Sequence, residues 1–403
     1  MIHNNQKFIG LLTSFSNIEA TLHVHKDLIK SLKKEFKKIY IINIDNLFIK
    51  KNKSKRNNVI KNNKNIIFFN PKNFNDFNLF LDNKKILIIS NFGRTFNSIN
   101  IHFFLKSRNI KLVQISNLGF LNNPFNLNFK KNFFKSIIFY IKNTLSKKII
   151  NFLGIIRLIP QLEVRFLSNK SIMKNINKNM IKKFLYDKKL FYTKKIILIN
   201  SRSYDALKTT QLKKSEKYII HLDSHLNWPE EVALRGRINQ KTILNHYKDL
   251  NLYLANLSKL FKKKVIVCIH PGYNLNLFKR YFKNFNVIQF KTREFIYSSF
   301  LVTVFDSSAI SDAILLNKNV IGLYPKHLTH NEKKHALDSS RNYGYPIYDM
   351  SEKSKLNKKK ILNDFKKSKI NFLKYSTNYH IFDKKISGYQ QIINELKIIL
   401  KTI

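Results

Sequence analysis

Two short stretches decide the fold of this chain, Val265-Ile-Val-Cys-Ile-His270-Pro271-Gly272 and Leu301-Val-Thr-Val-Phe-Asp306-Ser307-Ser308-Ala309-Ile-Ser-Asp312. Each is an apolar, β-type run that ends abruptly in polar side chains. Open α/β sheets bind their ligands at the carboxyl ends of the strands. An imidazole at one such end and a pair of hydroxyls at another predict a site for a nucleotide monophosphate or diphosphate.

Strands and helices alternate on both sides of these stretches. The strands predicted in the N-terminal half are Lys7–Leu12, Ile39–Ile44, Ile66–Phe69, Lys85–Ser90 and Lys111–Ile115. Those predicted in the C-terminal half are Lys195–Asn200, Tyr218–Leu222, the runs before His270 and Asp306, a short run near Val287, and Val320–Leu323. The alternation predicts βαβ crossovers and parallel sheets.

Two such series predict an α/β protein with two Rossmann-like domains that face each other across a cleft, the GT-B arrangement. The expected bounds are residues 1–165 for the N-terminal domain and 190–345 for the C-terminal domain. Residues 346–403 are Lys-rich and helical in pattern. They are expected to form a helical extension that packs back on the domains through an apolar stripe near 386–400.

The net charge of +50 comes from Lys much more than from Arg. Lys is in excess together with Asn, Ile and Phe, while Gly and Pro are scarce, so an AT-rich genome accounts for the charge. Base readout and planar phosphate recognition favour Arg. The composition therefore argues against nucleic acid as the partner. A Lys-rich surface is nevertheless attracted to anionic lipid headgroups, by roughly 1 kcal/mol for each residue near the surface.

Several features of the sequence predict a cytoplasmic protein. The one cysteine, Cys268, lies in an apolar run, and the N-terminus lacks the pattern of a signal peptide. No apolar stretch reaches the length of a spanning helix, and Lys residues interrupt Phe133–Pro160, which comes nearest. That segment suits either an interfacial helix or a helix packed on its own domain. We expect peripheral association with the inner membrane that high salt reverses.

The polar residues at the two strand ends admit a functional and a plain interpretation. A strand that gives way to a helix at Asp306-Ser307-Ser308 exposes unpaired N–H groups beside two hydroxyls, which favours an anion. The same residues are common helix N-caps. The imidazole of His270 suits a hydrogen bond to a phosphate or its protonation. Glu294 is placed to contact a ribose or phosphate, or only to favour its helix N-terminus.

The run Tyr218–Leu323 resembles bacterial surface-carbohydrate biosynthesis proteins of GT-B type, which make capsule or lipopolysaccharide. The elements that carry the resemblance are Ile220-His-Leu222-Asp223, Arg235-Gly236, Val265–Pro271, Glu294 and Asp306–Ile321. The His-Pro and Ser-Ser pairs are also similar to motifs of bacterial sialyltransferases and polysialyltransferases, in which they engage the phosphate of a CMP-sugar. The full set of predicted nucleotide contacts is His270, Pro271, Gly272, Glu294, Asp306, Ser307, Ser308 and Asp312.

The resemblance leaves the catalytic base open. Sialyltransferases supply it from an acidic pair followed by Gly in the N-terminal domain, and this chain has no such triplet before residue 150. Asp45 and Asp223, each at the end of a predicted strand, are the candidates, and Glu19 is a weaker one. No Asp-x-Asp element follows a strand, so we expect direct displacement without a metal or other cofactor. His270 would act on the leaving phosphate.

These expectations describe a glycosyltransferase that moves a sugar from a nucleotide-activated donor, with a CMP-sugar favoured, to a surface-polysaccharide or lipopolysaccharide acceptor. A transferase of polyol phosphate from a CDP-linked donor and a sugar-nucleotide epimerase share the predicted shape. A non-enzymatic, Lys-rich binder of membrane or nucleic acid is the alternative of a different class. Loss of activity on substitution of His270 or the two serines would separate the enzymes from the binder.

Overall fold

The computed structural model describes residues 7–13, 25–44, 65–82, 84–90, 99–116, 155–178, 192–208, 215–224, 238–270, 274–350 and 356–403, with a few single positions between them. These residues form two compact units. The first extends from the N-terminal strand to Arg202 and resumes at Phe382–Ile403, and the second is Ser203–Ile381.

The first unit contains a seven-stranded parallel sheet in the order β3-β2-β1-β4-β5-β6-β7. Its strands are β1 (Lys7–Thr13), β2 (Ile39–Asn43), β3 (Ile66–Phe69), β4 (Lys85–Ser90), β5 (Lys111–Ser116), β6 (Leu162–Leu167) and β7 (Thr193–Leu198). The helices between them are α1 (Lys26–Glu35), α2 (Phe74–Leu81), α3 (Ile99–Ser107) and α4 (Lys170–Lys178).

The second unit contains a six-stranded parallel sheet in the order β10-β9-β8-β11-β12-β13. Its strands are β8 (Tyr218–Leu222), β9 (Lys264–Cys268), β10 (Asn286–Ile288), β11 (Ser299–Val304), β12 (Asn319–Tyr324) and β13 (Ile347–Asp349). Its helices are α5 (Arg202–Lys208), α6 (Gln240–Phe261), α7 (Leu275–Tyr281), α8 (Thr292–Tyr297), α9 (Ile310–Leu315), α10 (His330–Tyr343) and α11 (Lys358–Tyr379).

The C-terminal helix α12 (Gly388–Lys401) belongs to the first unit. Its apolar stripe, which includes Ile393 and Leu396, packs against α1 and against Ile9 and Leu11 of β1. The opposite face of the same sheet is covered by α2 and α3. Successive residues of a strand point to opposite faces, so a sheet covered on both sides needs strands that are apolar throughout.

The second sheet is also covered on both faces. Helix α6 buries Leu250, Leu254 and Leu257 on one face, and α9 and α11 cover the other. The buried thiol of Cys268 lies in β9, where burial raises its pKa to about 12, so it is a small apolar core residue as expected. Among the helices of the described residues, none is long and apolar enough to cross a membrane.

Two strands of the first unit differ from the sequence-based expectations. The expected strand at 195–200 exists as β7, but it pairs with β6 in the first sheet rather than opening the second. Strand β6 itself, at the end of the expected N-terminal domain, was not among the predicted strands. The second unit consequently begins at Ser203 rather than near 190 and continues through α11 to Ile381. Apolar periodicity identifies a strand but does not specify its neighbours in a sheet.

The structure describes only part of the segment Phe133–Pro160. Residues 133–148 lie outside the part of the chain that the structure describes, so the predicted interfacial helix stays a prediction.

Candidate functional site

The strand order of the second sheet defines one position on its carboxyl edge. Strands β9 and β10 lie on one side of β8, whereas β11, β12 and β13 lie on the other. Counted within the unit, this is the order 3-2-1-4-5-6 of the doubly wound nucleotide-binding fold. The order reverses between β8 and β11, and ligands of open parallel sheets bind in the crevice at such a switch point.

A serine side chain joins the two strand ends at the switch point. The Ser224 hydroxyl, just beyond β8, donates to the backbone carbonyl of Asp306 and accepts from the Asp306 backbone N–H, both at 2.9 Å. This double hydrogen bond fixes the start of the loop after β11. Sequence analysis did not identify Ser224, although it directly follows the candidate Asp223 at the end of a predicted strand.

The serine pair follows this fixed point. Ser307 is half-buried, and Ser308 is exposed. Their backbone carbonyls accept from Ile310 N at 3.2 Å and from Ser311 N at 3.3 Å, which forms the turn before α9. The helix was expected to begin near Ser308, but it begins at Ile310 with Ala309 as its N-cap. The serine side chains therefore do not cap the helix, and the plain interpretation of the motif loses its main support.

The His270 side chain is exposed on the same edge, two residues beyond β9. Its backbone carbonyl accepts a hydrogen bond from the Gln289 amide at 3.2 Å. Partial desolvation lowers the pKa of His270, which favours the neutral imidazole at neutral pH. Strand β8 separates β9 from β11, so the ends that carry His270 and Ser307 are not adjacent and lie roughly 10 Å apart across the sheet.

Asp223 is buried between these two ends. One carboxylate oxygen lies 3.5 Å from His221 Nε2, and the other accepts from the Tyr247 hydroxyl at 3.3 Å. The other ring nitrogen of His221 lies 3.0 Å from Thr303 Oγ1 in β11. Burial raises the pKa of Asp223, and His221 and Tyr247 partly offset that rise. A carboxyl that is enclosed and already bonded in this way suits a positioning role better than that of a base reached by an acceptor.

The Asp306 carboxylate is more accessible, with about a quarter of its side chain exposed (27%). It lies 3.8 Å from Nδ1 of His335, a residue of α10 that is exposed to a similar degree. A partly exposed carboxylate beside an imidazole can exchange protons with a ligand bound at the switch point. No sequence pattern indicated His335, because α10 reaches this edge only through the packing of the unit.

The other two predicted nucleotide contacts lie in helices. Asp312 is buried in the first turn of α9, where its Oδ2 accepts from Arg293 Nε at 3.1 Å. This ion pair joins α8 to α9. Glu294 is exposed in the first turn of α8. The structure thus gives Asp312 a packing role and leaves Glu294 open to solvent.

Four predicted residues, Glu19, Asp45, Pro271 and Gly272, lie outside the described part of the chain. Within the described part, no three His, Cys, Asp or Glu side chains come together in a group that could hold a metal ion.

Comparisons with known proteins bear on the fold. No protein-family model and no curated protein sequence matches the chain. Among solved structures, the wall teichoic acid polymerase TagF, in a variant soaked with CDPG, matches 99% of this chain and 90% of its own, with a TM-score of 0.55 and 12% identity. A protein assigned as a UDP-N-acetylglucosamine 2-epimerase from Listeria monocytogenes matches 98% of this chain and 97% of its own, with a TM-score of 0.53 and 11% identity.

These matches cover almost the whole chain. At so low an identity they establish the fold alone. The chain has a GT-B-like fold, as the sequence predicted.

Proposed function

We propose that the chain is a glycosyltransferase that uses a nucleotide-activated sugar, with the donor bound by the second unit and the acceptor by the first. The observation that carries this proposal is the switch point between β8 and β11, where Ser224 fixes Asp306 and places Ser307 and Ser308 on the carboxyl edge. The serine hydroxyls would bind the donor phosphate there. His270 would contact the donor from the far side of β8.

The proposed reaction is a direct displacement. The acceptor hydroxyl oxygen forms a bond to the anomeric carbon of the sugar, and the bond from that carbon to the phosphate oxygen breaks, so that the nucleotide leaves. A carboxylate takes the hydroxyl proton, while the serine hydroxyls and His270 stabilise the departing phosphate. Asp45 is the candidate base, since Asp223 is buried. The proposed reaction uses no metal and no other cofactor.

The donor class separates the main proposal from its alternatives. The similarity of the His-Pro and Ser-Ser motifs to those of sialyltransferases favours a CMP-sugar, with a surface polysaccharide or lipopolysaccharide as acceptor. The likeness to TagF with CDPG favours, as second candidate, the transfer of a polyol phosphate from a CDP-linked donor. The likeness to the Listeria protein favours an epimerase acting on a UDP-sugar.

We also propose that the protein works on the cytoplasmic side of the inner membrane as a peripheral protein. The support is the net charge of +50, carried mostly by Lys, which attracts anionic lipid headgroups. A glycan or glycolipid acceptor at the membrane surface would then be within reach of the first unit.

The proposal predicts that one class of nucleotide-sugar raises the melting temperature, because a ligand that binds only the folded state stabilises it. The panel comprises CMP-, CDP-, UDP-, GDP- and ADP-linked sugars. Ser307→Ala combined with Ser308→Ala should weaken binding of the active donor by about tenfold or more, because two hydrogen bonds to a charged group are lost. The melting temperature of the ligand-free protein should hardly change.

Two further variants sharpen this test. Ser107→Ala removes an exposed hydroxyl at the end of α3, in the other unit, and should bind the donor as the wild type does. His270→Ala should lower kcat more than donor affinity if the imidazole acts on the leaving group. Wild-type affinity in the double serine variant for every nucleotide would show that the donor site lies elsewhere.

A further inference from the structure

One side of α11 carries aliphatic side chains that the described part of the chain does not cover. Ile370 and Leu373 have exposed fractions of 76% and 71%, and Leu362 is exposed by 38%. They alternate at helical spacing with exposed lysines. We name this surface the α11 outer face; it consists of Lys359, Leu362, Lys366, Ile370, Leu373 and Lys374.

The opposite side of α11 anchors the helix in the second unit. Ile361 and Phe365 belong to one core cluster, and Phe372 and Tyr375 belong to the other. The helix is therefore held in a fixed orientation, and its outer face is a permanent surface of the unit. Exposed aliphatic groups grouped on one helix face are typical of an interaction surface.

The apolar surface continues into a cavity beside Leu373. The cavity has a volume of about 460 Å³ and lies among α5, the end of α9 and α11. Leucine and isoleucine side chains make up much of its lining, and Lys208 and Lys369 are the charged residues among the described part of that lining. The lysines of the cavity and of the α11 outer face thus surround a common apolar area.

We propose that the α11 outer face binds the surface of an anionic lipid bilayer, with its aliphatic side chains inserted between lipids and its lysines on the phosphates. The charges favour this partner. Helix α11 has one acidic residue, Asp364, and the Tyr348 hydroxyl is bonded to it at 2.6 Å, away from the outer face. A second copy of a chain with net charge +50 would be repelled.

The side chains of the face also favour a bilayer over a nucleic acid. Single-stranded nucleic acids are bound through aromatic stacking and Arg contacts. The α11 outer face offers Leu, Ile and Lys instead, the combination that binds a lipid interface. This inference rests on the peripheral membrane location proposed above and is independent of the donor site.

The test is flotation of the full-length protein with phosphatidylcholine vesicles that contain or lack phosphatidylglycerol, at 0.1 M salt. Ile370→Ser combined with Leu373→Ser should weaken binding to the anionic vesicles by about tenfold. Lys366→Glu combined with Lys374→Glu should weaken it by a similar factor, and high salt should release the wild type.

The matched control is Leu79→Ser combined with Ile398→Ser, since these side chains of the first unit are 70% and 57% exposed. It should bind as the wild type does. The inference is overturned if the Ile370/Leu373 variant binds anionic vesicles as strongly as the wild type. It is also overturned if the control variant loses as much binding as the Ile370/Leu373 variant. If the Ile370/Leu373 variant loses binding to polyuridylate but still binds vesicles as the wild type does, the α11 outer face binds RNA and the inference is overturned.

The vesicle results distinguish this inference from the proposed membrane location. A wild-type protein that binds no anionic vesicles overturns both, whereas a wild-type protein that binds and an Ile370/Leu373 variant that binds equally well overturn only the role of the α11 outer face. Donor binding in the thermal-shift panel is measured without lipid, so it tests the glycosyltransferase proposal whatever the vesicles show.

Discussion

At the scale of single residues, the second unit encloses histidines in their neutral form. His246, in α6, is 3% exposed, and its ring lies against Tyr247 and Phe305. Desolvation, with smaller contributions from the charges of His221 and His327, lowers its pKa to about 3. His380 is fully buried, and desolvation lowers its pKa to about 3 as well. Each ring can take up a proton freely only when the chain unfolds.

The lowered pKa of His246 predicts how stability depends on pH. The contribution of neutral His246 to the free energy of unfolding is complete above the unfolded-state pKa of 6.5. It declines as the pH falls from 6.5 toward the folded-state pKa of about 3. Between pH 7.5 and pH 5 the wild type should lose roughly 2 kcal/mol of unfolding free energy through this residue. His246→Phe should remove that part of the loss, as measured by urea unfolding at both pH values. Identical pH dependence in wild type and variant would contradict the assignment.

Individual residues also show what the sequence can and cannot predict. The positions of His270, Ser307 and Ser308 beyond strand ends were predictable, because a polar residue that ends an apolar run is visible in the sequence, and their role in donor binding stays a prediction. The roles of Asp223 and Asp312 were not visible, since burial and partners such as Arg293 depend on packing. His335 lies beside Asp306 although the two residues are 29 positions apart in the sequence, and no local sequence pattern predicts that contact.

At the scale of secondary-structure elements, close packing explains a glycine in β12. An added Cβ at Gly322 would lie 2.6 Å from Cε2 and 3.1 Å from Cδ2 of Tyr345. Tyr345 is buried and stacks on Tyr343, with 6.0 Å between ring centroids. The ring therefore has little room to move aside.

Gly322→Ala should lower the free energy of unfolding by about 1–3 kcal/mol, the usual cost of overpacking a core. Gly10→Ala, in β1 of the other sheet, is the matched comparison. There the nearest atom, Cδ1 of Ile86, lies at 3.0 Å and ends a side chain that can shift. The second substitution should cost less, and guanidinium unfolding of both variants gives the difference. A larger loss for Gly10→Ala would refute this account of β12.

Long, apolar secondary-structure elements were easier to predict from the sequence than short or partly polar ones. Helix α6 is predictable from the sequence, because its buried apolar residues recur at helical spacing over six turns. Strand β6 was missed, although its apolar residues alternate with Glu163 and Arg165 as they do in a half-buried strand. Strand β13 has only three residues, too few to show a period. Strand β7 was found but assigned to the wrong sheet, because pairing is a tertiary property.

At the scale of the whole molecule, the chain leaves the first unit at Arg202 and returns to it at Phe382. The buried Asn200 joins the two passages. Its Oδ1 accepts from the backbone N–H groups of Phe382 and Asp383 at 2.8 and 3.0 Å. Its Nδ2 donates to the carbonyls of Asp383 and Ile386 at 2.6 and 3.0 Å. One amide side chain thus holds the returning segment that leads into α12.

Asn200→Ala should lower the free energy of unfolding by roughly 2–4 kcal/mol, because it leaves backbone groups without their partners in a buried place. Asn371→Ala is the control, since that exposed amide makes a single long hydrogen bond of 3.4 Å to the Gly344 carbonyl. It should change stability by less than about 0.5 kcal/mol. Thermal and urea unfolding provide the measurement, and equal stabilities of the two variants would show that Asn200 does not secure the return.

The return of the chain has a consequence for biosynthesis. Helix α12 covers one apolar face of the first sheet, yet the ribosome makes it only after all of Ser203–Ile381. At elongation rates of roughly 5–20 residues per second this delay lasts roughly 10 to 40 s. During that time the nascent first unit presents Ile9, Leu11 and their neighbours to solvent, whereas the second unit has its entire sequence available and can fold. The second unit should therefore be first to resist protease on stalled ribosomes, and the first unit should depend on chaperones until translation passes Lys401.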